Sequence, residues 1–484
     1  MSDNSKKYGS NTRLLGSTEL NWCKVAASGT GITTLALQVS KQPNITILKK
    51  VLHKIQNDHP ILNSMLYKNT STGLTSFIIN PPIPHLLLNI INLFTTSELL
   101  QTLIKTHGSN SSLSPLQLIL EHELNINEWS GIGSRSMCMG GFYLWFVNLY
   151  TLPDQKWILV VRLHTSVCDR TTAVSLLKEL SEGLGEREGG GYKDEGNVGI
   201  EDLIPIGKAK KTMWAHGKDM LTYSVNSLRL SNLQFKDVKG PLRSEIVRLK
   251  MSTEETRMLL AGCKSRGIKL CGVLAAATLL AVYSSKRRPN NNHRKKYGVI
   301  YLNDCRSYLQ PPLFHHNLGF YHSAISTIQE VKRGDNLWDL ATTSYTSFTS
   351  SKNNDKHFTD MADLNFLMSK VVDNPSLTPK SSLRTALLTV FEDTVIETTT
   401  EMRQDLFLED YVGCASVHGV GPSIAIFDTV VDGELDCVFV YPSPLHSREQ
   451  MQELIGSVKI SLVEDVFCWC TMGNHNQERR HSYW

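Results

Sequence analysis

The sequence predicts an α/β protein made of two similar halves. Three observations carry that prediction. A strand, helix, strand order occurs twice. A β-branched apolar run ends on a polar pair at a strand-to-helix junction. A stretch rich in glycine and charge lies between the halves. With 484 residues the chain has length for two or three average domains. Its apolar fraction of 41% and charged fraction of 20% are those of a globular protein. A formal net charge of +4 is small for this length and gives no reason to expect a nucleic-acid partner. Ten cysteines are scattered, several inside apolar runs (Cys263, Cys271, Cys414, Cys437), which reads as reduced thiols rather than a disulfide framework. Residues 1–13 are polar, with no apolar segment behind Lys6-Lys7. No apolar run reaches ~18 residues. Neither a secretory leader nor a membrane span is expected, and a cytoplasmic location is.

Residues 1–20 read as a flexible lead-in, and residues 21–185 as the first half. Thr33 to Ser40 alternates as a strand. Pro43-Asn44 breaks it, and Leu48, Val51, Leu52 and Ile55 form the apolar stripe of a helix from about Ile45 to Asn57. His59-Pro60 ends that helix, and Met65-Leu66-Tyr67 opens the next strand. Helical pieces follow at Glu98 to Lys105 and Gln117 to Glu123. Gly140 to Tyr150 and Lys156 to Leu163 read as adjacent strands turned at Pro153-Asp154. Ile158 to Leu163 is apolar on both faces, as in a buried strand. From Asp169 onward, Ala173, Val174, Leu176, Leu177 and Leu180 recur at helical spacing.

Residues 186–200 read as a mobile linker and 201–466 as the second half. A mostly polar helix runs from Lys208 to about Leu230, then a strand from Arg243 to Leu249. Ser252-Thr253-Glu254-Glu255 has capping-box spacing and opens a helix to about Arg266. Leu270 to Ser285 is apolar nearly all round, as in a buried helix. Tyr297 to Leu302 is a strand ending in Asn303-Asp304-Cys305-Arg306. The basic run Lys286 to Lys296 reads either as a solvated loop or as a lip that attracts an anionic carrier. Asp432-Gly433 turns the chain between two late strands, and a helix runs from Arg448 to about Val463. Residues 467–484 read as an irregular tail. Cys468-Trp469-Cys470 without a second pair is too little for a metal site, and adjacent His315-His316 is a poor chelate, so no metal is expected.

The chemistry points to the junction. Its heptad, His164-Thr165-Ser166-Val167-Cys168-Asp169-Arg170, resembles the His-His-x-x-x-Asp-Gly motif of the condensation branch of the thioester-dependent acyltransferase superfamily. His59-Pro60-Ile61-Leu62, the heptad, the Asp304-Cys305-Arg306 strand end and the final two-strand, one-helix unit follow the superfamily's order over roughly residues 20–466. Within it the chain looks most like plant condensation-domain-like proteins, and it lacks the Asp-Phe-Gly-Trp-Gly motif of the BAHD branch.

The resemblance implies two chloramphenicol-acetyltransferase-like halves with a substrate tunnel between them. It implies a single-step transfer from a thioester, with acyl-coenzyme A as co-substrate and no bound cofactor, to a hydroxyl or amine of a small acceptor. A monomer would suffice. Asp169 is then structural and pairs with Arg306 across the halves, with Arg170 as the rival partner. Losing one partner of such a buried pair costs about 3–5 kcal/mol. Thr165, Ser416, His418 and Ser423 are the candidate tunnel-lining residues. The departure from the motif is sharp. Thr165 stands where the second, usually catalytic, histidine is expected, and Arg170 replaces the glycine. Two readings of His164 stay open: the catalytic base, brought round as the strand ends, or a satisfied structural histidine facing the interior. Correspondingly, the chain is an acyltransferase, a catalytically inactive binding or scaffold protein, or an enzyme of altered, non-transfer chemistry on the same fold.

Overall fold

The computed structural model describes residues 12–481 except 70, 82–87, 108–112, 134–140, 186–197, 286–293, 398–402 and 404–405, and omits the side chains of 132–133, 222–229 and 465–481. Three sheets organise the chain. The first has five strands in the order Leu408–Val417, Thr30–Val39, Trp157–His164, Trp145–Thr151, Leu88–Ile91. The run from Ile158 to Leu163 is buried on both faces, as its composition requires. Leu159, Val161 and Leu163 enter one core, packed on Leu48, Leu52, Leu176 and Leu180. Ile158 and Val160 enter another, beside Leu116, Ile119 and Leu120.

The second sheet has seven strands. Its main path runs His322–Val331, Lys295–Asp304, Arg384–Phe391, Gly421–Val431, Glu434–Ser443, Arg243–Met251, and Val395–Glu397 joins it on Gly421–Val431. The all-apolar segment Leu270–Ser285 is a helix buried against this sheet. Both strand, helix, strand halves therefore exist. They are not self-contained, however: Leu408–Val417 leaves the second half and pairs antiparallel with Thr30–Val39, Cys414 opposite Thr34. A small third sheet joins Thr12–Leu14, Thr75–Ile79, Ser64–Lys68 and Phe142–Tyr143.

Local chemistry explains the expected ends. Asn44 caps the helix Ile45–Asp58 by accepting from the Thr46 and Ile47 N–H groups. His59 ends it, its Nε2 2.9 Å from Glu179. Ser252 and Glu255 form the expected capping box.

Two expectations are corrected. Residues 12–20 are not a loose lead-in: they hold a paired strand and the start of the helix Ser17–Ala27. That helix buries polar Thr18, Glu19 and Asn21, so its sequence has no clear apolar stripe to read. Glu19 accepts from the Gly16 N–H (2.8 Å) and Arg13 (2.7 Å). The tail is not irregular either, because the helix begun at Arg448 runs to His481. Its first turns are anchored by Met451, Leu454, Ile455, Val458 and Leu462, and no proline follows to stop it. The linker 186–200 lies almost wholly, and the basic run 286–296 mostly, outside the described residues. Among the described residues no single helix is long and apolar enough to cross a membrane.

Candidate active site

A cavity of about 750 Å³ opens between the two large sheets. The helix Ser17–Ala27 contributes Trp22, and the helix Met361–Asp373 contributes Leu364 and Met368. Asn365 Nδ2 ties these two helices together by donating to Thr18 Oγ1 at 2.9 Å. The strand Thr30–Val39 presents Gly31 and Thr33, and the junction presents Thr165, Asp169 and Arg170. From the second sheet come His322, Phe391 and Phe427, among others, and Phe320 lies in the loop just before the strand His322–Val331.

Asp169 organises the junction. It begins the helix Arg170–Leu184, its Oδ1 accepting from the Thr172 N–H at 2.8 Å. Arg306 grips it in two-pronged fashion, Nη1 to Oδ2 at 2.8 Å and Nη2 to Oδ1 at 3.1 Å. The Tyr321 N–H adds a bond to Oδ2 at 2.8 Å. Burial alone would raise this carboxyl, but the Arg306 guanidinium and the His322 ring outweigh it and hold it well below the usual carboxylate range. The pair expected across the halves is thus present. Arg170 does turn away, toward Asp428 at 3.0 Å, with its guanidinium 4.6 Å from the Phe391 ring centre.

His164 does not border the cavity. Strand alternation persists through the strand end, so Thr165 borders the cavity and His164 enters the packed interior. His164 is 0% exposed and meets Trp129 edge-on at 5.0 Å. Its Nδ1 accepts from the Ser166 N–H at 3.1 Å and lies 2.7 Å from Ser166 Oγ. The neutral ring therefore carries its proton on Nε2, which is buried without a hydrogen-bond partner. The accepting nitrogen is occupied, and burial pushes the ring's pKa down to about 3. Thr165 cannot replace it. Its hydroxyl donates to the Gly31 carbonyl, and Thr33 Oγ1 lies 3.1 Å away, left to donate to it. Gly31 makes that approach possible: φ is +85°, and a Cβ there would stand 2.9 Å from the Trp22 ring.

The other lining candidates divide. Ser416 borders the cavity and accepts from the Ile32 N–H at 2.9 Å. His418 and Ser423 do not border it. His418 is wedged in the seam between the sheets, Nδ1 3.0 Å from Ser244 Oγ and Nε2 so near Gly29 that a Cβ there would meet it at 2.1 Å. Burial lowers its pKa to about 4. Ser423 is fully buried and donates to Asn232 Oδ1 at 2.7 Å. Arg384 lies nearby, and its bonds run to backbone carbonyls, including those of Val417 and Pro422, so it pins the turn between two strands.

His322 was not anticipated. It is the one histidine among the described residues that line the cavity. Its Nδ1 lies 3.0 Å from Asp169 Oδ2, off the line of an ideal hydrogen bond but well within ion-pair range. Phe391 meets its ring edge-on at 6.1 Å. No spacing along the chain signals this contact, which depends on where the second sheet lands. As to metals, no group of three or more His, Cys, Asp or Glu among the described residues could hold one. The side chains of Cys468 and Cys470 lie outside that set.

Residues 240–347 match the family described as phthiocerol/phthiodiolone dimycocerosyl transferase C-terminus. No curated protein matches the sequence. Solved structures do resemble this one. Polyketide synthase associated protein 5 from Mycobacterium tuberculosis is 15% identical with a TM-score of 0.62, over 93% of this chain and 97% of that one. Trichothecene 15-O-acetyltransferase from Fusarium sporotrichioides is 10% identical with a TM-score of 0.64, over 94% and 96%. The first condensation domain of the calcium-dependent antibiotic synthetase is 13% identical with a TM-score of 0.61, over 94% and 96%. The chain therefore has the two-lobed fold shared by these acyltransferases and condensation domains.

Proposed function

We propose that this protein transfers an acyl group from a thioester to a hydroxyl or amine of a small metabolite inside the cavity between its sheets. The observation that carries the reading is the cavity itself. It measures about 750 Å³, apolar side chains wall most of it, and the Asp169 junction opens into it from one sheet while His322 reaches it from the other. Such a space suits an acyl chain and holds two reactants together, which can be worth more than any single catalytic group. A thiolate is a good leaving group, so no covalent nucleophile is needed. The thiols of Cys168 and Cys414 at the wall are in any case made less acidic by burial, away from the reactive thiolate. Acyl-coenzyme A is the soluble donor we assign.

A second reading is a binding or scaffold protein, favoured by the committed hydroxyl of Thr165 where a base is expected. One experiment separates the two. Purified protein is given a panel of acyl-coenzyme A donors with mixed alcohol and amine acceptors. Free thiol is followed, and products are weighed by mass spectrometry. Affinity for a non-hydrolysable thioether analogue is measured in parallel. Thiol release with acylated product supports transfer. Tight analogue binding without turnover favours the scaffold. Neither binding nor turnover removes both.

A further inference from the structure

We propose that His322, oriented by Asp169, is the general base of the transfer. The base has moved from the heptad to the opposite sheet. This rests on the acyl-transfer reading above and says how a chain with Thr165 in the heptad could perform it.

Three features of His322 suit the role. The first is place: it begins the strand His322–Val331, at the cavity wall, where Thr165 also stands. The second is tautomer. Nδ1 lies 3.0 Å from Asp169 Oδ2, and a carboxylate can only accept, so the contact, though off the ideal line, favours the tautomer with the ring proton on Nδ1. Nε2 then holds the free lone pair. The third is access. Nδ1 is sealed in the wall, whereas Nε2 is not among the sealed atoms and bonds to no described residue. His164 fails on each count, with its lone pair taken by Ser166 and its other nitrogen buried.

The surroundings favour a proton on Nε2 as charge develops. Asp169 stands behind the ring, already balanced by Arg306. Asp304 lies opposite His322 in the strand pair and is itself bonded to Arg306 and Thr171. Arg170 is held away over Phe391. In the step, the acceptor O–H or N–H gives its proton to Nε2 as its heteroatom bonds the thioester carbonyl carbon. The adduct then breaks its C–S bond, and the proton passes from Nε2 to the departing sulfur. The products are an ester or amide and a free thiol.

The test uses the full chain as wild type, His322→Asn and His322→Ala. Asparagine can still donate to Asp169 yet has no basic nitrogen toward the cavity, so it separates catalysis from folding. The expected result is a loss of about 10²–10⁴-fold in kcat for both variants, with the thioether analogue bound within about threefold of wild type. Wild-type kcat/KM should fall with unit slope on the acid side, and that limb should vanish in His322→Asn. Added imidazole should restore part of the His322→Ala rate. Turnover within about threefold of wild type in His322→Asn overturns the assignment and leaves the transfer reading standing. Equal losses of turnover and analogue binding also overturn it, since His322 would then be structural. Wild-type protein that releases no thiol across the panel overturns both.

Discussion

Replacing Arg306 by methionine tests the clasp on which the site is built. Arg306 is 3% exposed and Asp169 4%, so the substitution leaves a carboxylate in a closed interior. Breaking a buried pair from one side costs about 3–5 kcal/mol. Asp169 keeps the Tyr321 and Thr172 N–H groups, each at 2.8 Å, and the His322 ring at 3.0 Å. Those partners put the expected loss at the lower end, about 3 kcal/mol. Urea unfolding at pH 7, followed by tryptophan fluorescence, measures it. Asp169→Asn and the double variant complete a cycle, in which the double should cost about 1–3 kcal/mol less than the sum of the singles. The pH dependence has a definite sign. The folded Asp169 carboxyl is held below the usual range, so the unfolded chain takes up this proton first. Its contribution is complete at neutral pH and declines below about pH 5. Arg306→Met should therefore lose less stability between about pH 5 and pH 3 than wild type does. A cost under about 1 kcal/mol for Arg306→Met, with no coupling in the cycle, would refute the clasp.

Three other variants test the same geometry. His164→Ala should cost about 2–4 kcal/mol by leaving a void under Trp129, yet its folded fraction should keep wild-type kcat, read by thiol release per active protein. The folded His164 stays neutral down to about pH 3, while an unfolded histidine charges near ~6.5, so wild-type stability should fall as pH drops through that window and fall less steeply in His164→Ala. Gly31→Ala should cost about 1–3 kcal/mol, since alanine must adopt φ +85° with its Cβ 2.9 Å from the Trp22 ring and 3.0 Å from Thr165 Oγ1, and a shifted Trp22 emission would report the movement. Thr165→Val removes a hydroxyl bonded to Gly31 and Thr33 at nearly constant volume, so about 1–3 kcal/mol of stability should go, seen in the urea midpoint, while kcat changes little.

What could be read from the sequence was what depends on near neighbours. The run Ile158 to Leu163 announces a strand covered on both faces, and two separate cores do cover it. Leu270–Ser285 announces a buried helix for the same reason. Asp169 and Arg306 could be paired in advance only because the resemblance implies an arginine partner for the motif aspartate across the halves, and the two side chains do meet. The helix Ser17–Ala27 was lost because polar Thr18, Glu19 and Asn21 are among its buried positions, Thr18 and Asn21 being matched to Asn365 on a helix far along the chain. Ser423 was misplaced because its neighbours fit a lining strand, whereas its hydroxyl is claimed by Asn232.

His322 belongs to a different kind of information. A motif is counted along one strand end, so a threonine in its second place reads as a missing function. The chemistry asks for something less linear: an imidazole with a free lone pair at the cavity and a carboxylate behind it. Asp169 is reached from both sheets, from its own helix start and from the turn that delivers Tyr321 and His322. A carboxylate held in that position can orient a histidine on either side of the cavity. The heptad strand offers His164, which faces the core, and the opposite strand offers His322, which borders the cavity. The loss of a base from one wall is therefore no argument for an inert protein while the residue that would orient a base remains in place, buried, charged and in contact with a histidine on the other wall.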